Sequence, residues 1–183
     1  MSKNEQNTKL LKHIESQDYI QIRRKDPTEL YACIPLAISK QFLMVLRFYD
    51  FDPYGYEVFP LSSIVDICHS DTDVYFGDIA KKEGASIQIA AAPSIDLHSW
   101  RSILSFFLPS GENVTVDIGK EDCVNVGQIT KTTNTSFCMR CFSPTGVWDD
   151  DDWSEPYKNI TGIQFRNHYL QTFTKYLPPR GDG

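Results

Sequence analysis

The chain repeats itself, and the repeat limits the fold more than any single motif does. KLLKHIESQDYIQIRR (9–24) lies over ILSFFLPSGENVTVDI (103–118) at an offset of 94, with Ile20 and Ile22 opposite Val114 and Val116. The same offset sets LYACIPLAISKQFLMVLRF (30–48) against VNVGQITKTTNTSFCMRCF (124–142), so that Phe48 meets Phe142. Beyond the next connection the offset becomes 96, as two inserted residues require, and PLSSIVDI (60–67) lies over PYKNITGI (156–163). No single match is strong. Their order and near-constant offset describe one supersecondary unit written twice.

Each copy reads as a short amphipathic helix and about four or five short strands. In the first, a helix near 8–16 precedes strands near 18–24, 29–37, 41–49, 56–60 and 63–68. Alternating apolar positions and β-branched or aromatic residues such as Val45 and Phe48 support these strands. The second copy predicts strands near 113–118, 123–131, 135–142, 154–157 and 159–165. SIDLHSWRSILSFFL (94–108) reads as its helix, with Ser94 as N-cap and Pro109-Ser110-Gly111 as stop. GASIQIAAAPS (84–94) reads as an extra strand or a linker. The expected organisation is a helix plus barrel over 1–92 and a second helix plus barrel over 93–183. The class is mainly β with short helices. Five antiparallel strands bury little while flat, so each sheet is expected to curl and close.

In the second copy VTVDI, VGQITK, SFCMRCF and NITGIQF follow one another, and Gly127 falls in a bent second strand, where the missing Cβ permits a tight bend. This order resembles the Sm-like family of SH3-like barrels, and the pattern covers nearly the whole chain as two tandem five-stranded copies. The resemblance implies the fold and leaves the family's RNA site in doubt. Sm-like proteins that bind RNA carry an Asp and Asn pair after the second strand. The matching loops here read KTTNT (131–135) and AISKQ (37–41), where only Asn134 answers. The Arg-Gly of the second RNA loop is replaced by CHSD and FRNH.

Formal net charge is −6, and residues 149–155 alone hold five acids, so the acidity is local. An acidic chain repels phosphate backbones, which disfavours a nucleic-acid partner. No apolar run approaches the roughly 20 residues that cross a bilayer. The polar start MSKNEQNTKLLKHIE has no signal-peptide core, so a cytoplasmic protein with five reduced cysteines is expected.

Catalytic and metal motifs fail on spacing, and neither an enzyme nor a cofactor is expected. CMRC (138–141) lies within a strand, where residues three apart face opposite sides, and no second CxxC exists; Cys33, Cys68 and Cys123 are scattered. Cys68-His69 with Asp71 and Asp73 holds the ingredients of a nucleophile and base, but adjacent strand residues point apart; SDTD reads as a turn. His13, His98 and His168 form no HExxH pair. Arg180-Gly181-Asp182 and three N-x-[ST] triplets carry no meaning without export.

WDDDDW (148–153) lacks the alternating oxygens and glycine of a calcium loop. In the repeat it matches FYDFDPYGYEVF (48–59), which is also acidic and aromatic. One reading folds the rings onto the barrel and leaves the acids wet. The other makes Trp148, Asp149, Asp150, Asp151, Asp152 and Trp153, with Tyr49, Asp50, Asp52, Tyr54 and Tyr56, a surface for a basic protein partner. The function expected is thus a noncatalytic protein-binding module, in concrete form an immunity-type inhibitor of a basic protein. The alternative is an RNA-associated Sm-like protein, using Arg23, Arg24, Lys25 and Asn134.

Overall fold

The computed structural model of the chain describes residues 3–25, 30–119 and 124–180. Cys123 and Gly181-Asp182 of the Arg-Gly-Asp triplet lie outside them. The chain divides into two compact units, Met1–Ser94 and Ile95–Gly183. Both are mainly β, with antiparallel strands and a few helices.

In the first unit α1 (Lys3–Ser16) leads into β1 (Ile20–Arg24), β2 (Leu30–Ile38), β3 (Phe42–Tyr49), β4 (Asp52–Pro60) and β5 (Ile64–Cys68). The strand order is β5-β1-β2-β3-β4. In the second unit α4 (Trp100–Ser105) leads into β6 (Asn113–Ile118), β7 (Val124–Thr132), β8 (Ser136–Cys141), β9 (Trp153–Pro156) and β10 (Ile160–Phe165), in the order β10-β6-β7-β8-β9. The two orders are the same when each strand is renumbered within its own copy.

The correspondence extends to register. Ile20 faces Cys33 as Val114 faces Gly127. Val45 faces Glu57 as Met139 faces Trp153. Even the irregularities repeat. Pro35 faces Val45 and Ala37 faces Met44, leaving Leu36 as the extra residue; Ile129 faces Met139 and Lys131 faces Cys138, leaving Thr130. Such bulges bend the strand and raise its twist, and proline, lacking an N–H, is tolerated beside one. A second slip passes over Val65 in one copy and Thr161 in the other.

The bend gathers one interior. In β1, period 2 puts Ile20, Ile22 and Arg24 on one face. The two isoleucines join Leu10 of α1, Leu43, Val45, Phe59, Leu61, Ile64 and Ile67 in a single core. The second unit buries the matching Leu104, Val114, Val116, Phe137, Met139, Ile160 and Ile163. The approach to the first strand matches as well: Gln17 (φ 51°), directly after α1, and Gly111 (φ 58°), shortly before β6, both take the left-handed conformation.

Arg24 shares that inward face, so a charge enters the core and must be paired. Arg24 Nη1 donates to Glu57 Oε1, and Arg47 Nη1 lies 3.1 Å from Glu57 Oε2. Arg24 also donates from Nε to Ser63 Oγ at 3.2 Å and lies 4.4 Å over the Phe59 ring. β1 and β4 are three places apart in the sheet, so this pair spans the curl. Removing one partner of a buried pair generally costs about 3–5 kcal/mol.

Several expectations need correction. No ladder joins β5 to β4, or β10 to β9, among the described residues, so neither sheet closes within its unit. A three-residue 3-10 turn (Leu61–Ser63; Tyr157–Asn159) carries the chain from each fourth strand to the fifth. In the first unit the core side chains and α1 fill the interior without closing the ladder. The SDTD turn is the start of a helix, α2 (Asp71–Ala80), whose N-cap Ser70 and Asp73 form a capping box. Within 84–94, residues 86–90 form a short helix, α3 (Ser86–Ala90), in place of the extra strand. The second unit's leading helix begins after Ser99, which caps it with Ser102, rather than after Ser94. A final helix, α5 (His168–Tyr176), follows N-cap Asn167.

Gly127 is required by close approach. A Cβ there would lie 2.0 Å from the Arg140 carbonyl oxygen of the neighbouring strand. Gly127→Ala is expected to destabilise the protein by about 3 kcal/mol, as overpacking against rigid backbone does. Urea denaturation measures this, and an unchanged midpoint contradicts it.

Candidate functional site

The acidic-aromatic segments sit at the β3–β4 and β8–β9 connections. In the first unit the connection is tight: Tyr49 faces Asp52 across the hairpin, and Asp50 takes a positive φ of 54°. The Asp50 carbonyl accepts from Tyr19 Oη at 3.1 Å, and the Phe51 ring packs 5.0 Å from Phe76. Tyr49 is 76% exposed, while Asp50 and Asp52 are also exposed. Tyr54 is half-buried. Tyr56 departs from the expected surface: it is 2% exposed, and its hydroxyl donates to the Gln88 carbonyl at 2.6 Å. Its position in β4 explains this, because the strand is buried over Gly55–Phe59.

In the second unit the connection is longer and braced at both ends. Gly146 turns it with φ 77°. Trp148 bridges back to Phe142, packs edge-to-face on that ring at 5.2 Å, and donates from Nε1 to the Pro178 carbonyl at 2.9 Å. Phe142 in turn stacks on Phe173 of α5 at 5.1 Å. Trp153 opens β9 and packs edge-to-face on Phe137 at 5.6 Å. Both tryptophans are half-buried, so their rings brace the segment and leave only part of each indole to solvent.

Between them the aspartates divide. Asp152 is held: Oδ2 accepts from Thr130 Oγ1 at 2.6 Å and Oδ1 from Arg140 Nε at 2.6 Å. Thr130 is the bulged residue of β7, so the irregularity that bends the sheet also aims this hydroxyl at the acidic segment. Arg140 Nη1 further donates to the Asp149 carbonyl at 3.3 Å. Asp149, Asp150 and Asp151 are exposed, and among the described residues no cation pairs with their carboxylates. The unit therefore presents three wet carboxylates on a connection fixed by two indoles and one ion pair.

The cysteines and the residues named for RNA binding do not converge on chemistry. Cys138 and Cys141 stay within β8 as free thiols, and burial pushes the Cys141 thiol up to about 11, with Asp149 and Asp152 adding to the rise. Cys68 Sγ lies 3.5 Å from Asp66 Oδ2, and Asp73 is engaged in capping α2. Arg24, wanted at the surface for RNA, is inside. Asn134 Oδ1 accepts from Arg101 at 2.7 Å. A cleft of about 530 Å³ in the second unit is lined by Glu112, Asn113, Gln128, Arg166 and Thr174, and Arg166 grips Glu112 through both oxygens (3.0 and 3.2 Å). No helix among the described residues is long and apolar enough to cross a membrane.

The Thr130 hydrogen bond, opposed by desolvation and aided by Arg140, holds the Asp152 carboxyl below its ordinary range. A depressed carboxylate stabilises the fold above the unfolded pKa, and that contribution is lost as pH falls through the depressed value. An NMR titration is expected to place the Asp152 midpoint below that of an unperturbed aspartate, with Thr130→Val moving it upward. A midpoint unaffected by the substitution would contradict the bonded geometry. No protein-family model matches the chain and no curated protein matches it, so the reading of this site rests on its geometry.

Proposed function

We propose that the protein is a noncatalytic binding module for a basic protein, recognised mainly through Asp149, Asp150 and Asp151. The observation that carries this reading is the trio's setting. The carboxylates are exposed and unpaired among the described residues, on a segment held by Trp148, Trp153 and Asp152. Ordering a flexible loop on binding opposes affinity, and a braced loop avoids most of that penalty. A local cluster of negative charge speeds encounter with a cationic surface and discriminates against acidic ones. Tyr49 with Asp50 and Asp52 offers a smaller patch of similar chemistry in the first unit. In its concrete form the module is an immunity-type inhibitor that covers a basic protein such as a nuclease.

Each unit follows an Sm-like, SH3-like plan that stays open within the unit, and its helix-first order and bent second strand support that. The RNA reading has lost Arg24 to the core and Asn134 to Arg101, so it gains no observation of its own.

Purified basic proteins, nucleases among them, are the probes for a calorimetric titration at low and physiological salt. At least one is expected to bind, more weakly as salt rises. Asp149→Asn/Asp150→Asn/Asp151→Asn is expected to lower its affinity at least tenfold, chiefly through slower association. Binding that ignores the triple substitution, or short single-stranded RNA bound at physiological salt while every basic protein is refused, would overturn the reading.

A further inference from the structure

Three side chains of the first unit meet where three elements join. His13 lies in the last turn of α1, Asp18 just beyond the left-handed turn at Gln17, and His69 just past the end of β5. His13 Nδ1 lies 2.9 Å from Asp18 Oδ2, and the two imidazoles pack edge-to-face with centroids 5.0 Å apart. One nitrogen from each ring and one carboxylate oxygen all lie within 4.8 Å of one another. The backbone holds the group from both sides: Asp18 N donates to the His13 carbonyl at 3.0 Å, and Ser70, next to His69, caps α2.

The second copy supplies an internal comparison. By the same offsets, His13, Asp18 and His69 correspond to Phe107, Glu112 and Phe165. Phe107 and Phe165 also meet ring to ring, in a tilted contact with centroids 5.1 Å apart, and both are fully buried where His69 is exposed. Glu112 is turned away into its ion pair with Arg166. Packing at this junction is therefore satisfied by two plain phenyl rings. The first copy holds two imidazoles there and leaves a carboxylate against one of them. Nitrogen at these positions is not needed to fill space. His13 is 7% exposed; its Nδ1 faces Asp18, while its Nε2 has no hydrogen-bond partner among the described residues, so the fold provides for one of the two ring nitrogens and not for the other.

We propose that His13, Asp18 and His69 form a binding site for a divalent transition-metal ion of the zinc class. Two imidazoles and one carboxylate suit zinc, cobalt or nickel, while magnesium and calcium prefer sets made wholly of oxygen. Metal–ligand bonds near 2.1 Å place tetrahedral ligand atoms about 3.4 Å apart. The His13–Asp18 edge is already that short, so His69 is the ligand that must swing inward. It is exposed and has room to do so. Its solvent-facing side leaves the remaining coordination for water or a donor from a partner. The metal joins α1 to the end of β5 and so ties the helix to the sheet. Sequence reading finds no metal motif because the ligands are 5 and 51 residues apart, with none of the short spacings by which such sites are recognised.

The test is calorimetric titration of the full chain with Zn²⁺ and Co²⁺, together with the visible spectrum of the cobalt form and the unfolding temperature with and without metal. One ion per chain, nitrogen- and oxygen-type cobalt bands and a raised unfolding temperature are expected. His13→Phe/His69→Phe installs the residues that the second copy already packs at this junction and leaves every cysteine in place. It is expected to weaken binding at least about 100-fold and abolish the thermal shift. Should the double variant not fold, the exposed substitution His69→Ala decides, with an expected loss of at least tenfold. Absence of binding by the wild type, a thiolate charge-transfer band in its cobalt form, or equal affinity in a folded variant overturns the proposal.

Discussion

A one-residue slip in the second strand sets the shape of each unit. Leu36 and Thr130 are extra residues that the neighbouring strand does not match. A regular ladder here would leave a short, flattish sheet with two wet faces and little to bury. The slip bends the sheet, and the bend lets side chains from strands three places apart reach the same interior. Arg24 meets Glu57 across that interior in the first unit. In the second, the extra residue itself supplies the hydroxyl that fixes Asp152. One local irregularity thus shapes the core of one copy and the acidic segment of the other.

Because register is held so closely, the differences between the copies can be read position by position. Arg24, Arg47 and Glu57 correspond to Ile118, Cys141 and Trp153. The first copy thus has charges at positions where the second has apolar or weakly polar side chains. Buried ion pairs and well-packed apolar groups of like volume are often close in stability, so both solutions are accessible to one backbone. The replacement has a further consequence. Glu57 is an inward-facing residue of β4, whereas Trp153 at the same place opens β9 and anchors the end of the acidic segment. The His13–His69 and Phe107–Phe165 pairs show the same divergence at the junction of helix and sheet.

The strands were legible in the sequence to within a few residues because alternation and β-branched content act locally. The correspondence between the two sets of strands was legible through the repeat. The helices were less so. α2 and α5 follow the N-caps Ser70 and Asn167, and the Ser70-to-Asp73 spacing of a capping box has the same residue types as a turn. Ser94 was the expected cap, and the structure uses Ser99 instead, because Ser102 answers it in a capping box. Closure is not a local property, and no strand pattern distinguishes an open curled sheet from a sealed one. At the candidate site the acidity of 149–152 was plain, but the division between Asp152 and its three neighbours depends on Thr130 and Arg140, from two other strands. Tyr56 looked like a surface ring beside Tyr54, and only the depth of β4 shows otherwise.

One five-stranded design occurs twice with the same register, irregularities included. Backbone NMR distances across β2–β3 and β7–β8 decide whether this holds in solution. Cross-strand contacts are expected to pair Pro35 with Val45 and Ala37 with Met44, matched by Ile129 with Met139 and Lys131 with Cys138. A slip found in one copy and missing from the other, or displaced by a residue between them, would contradict it.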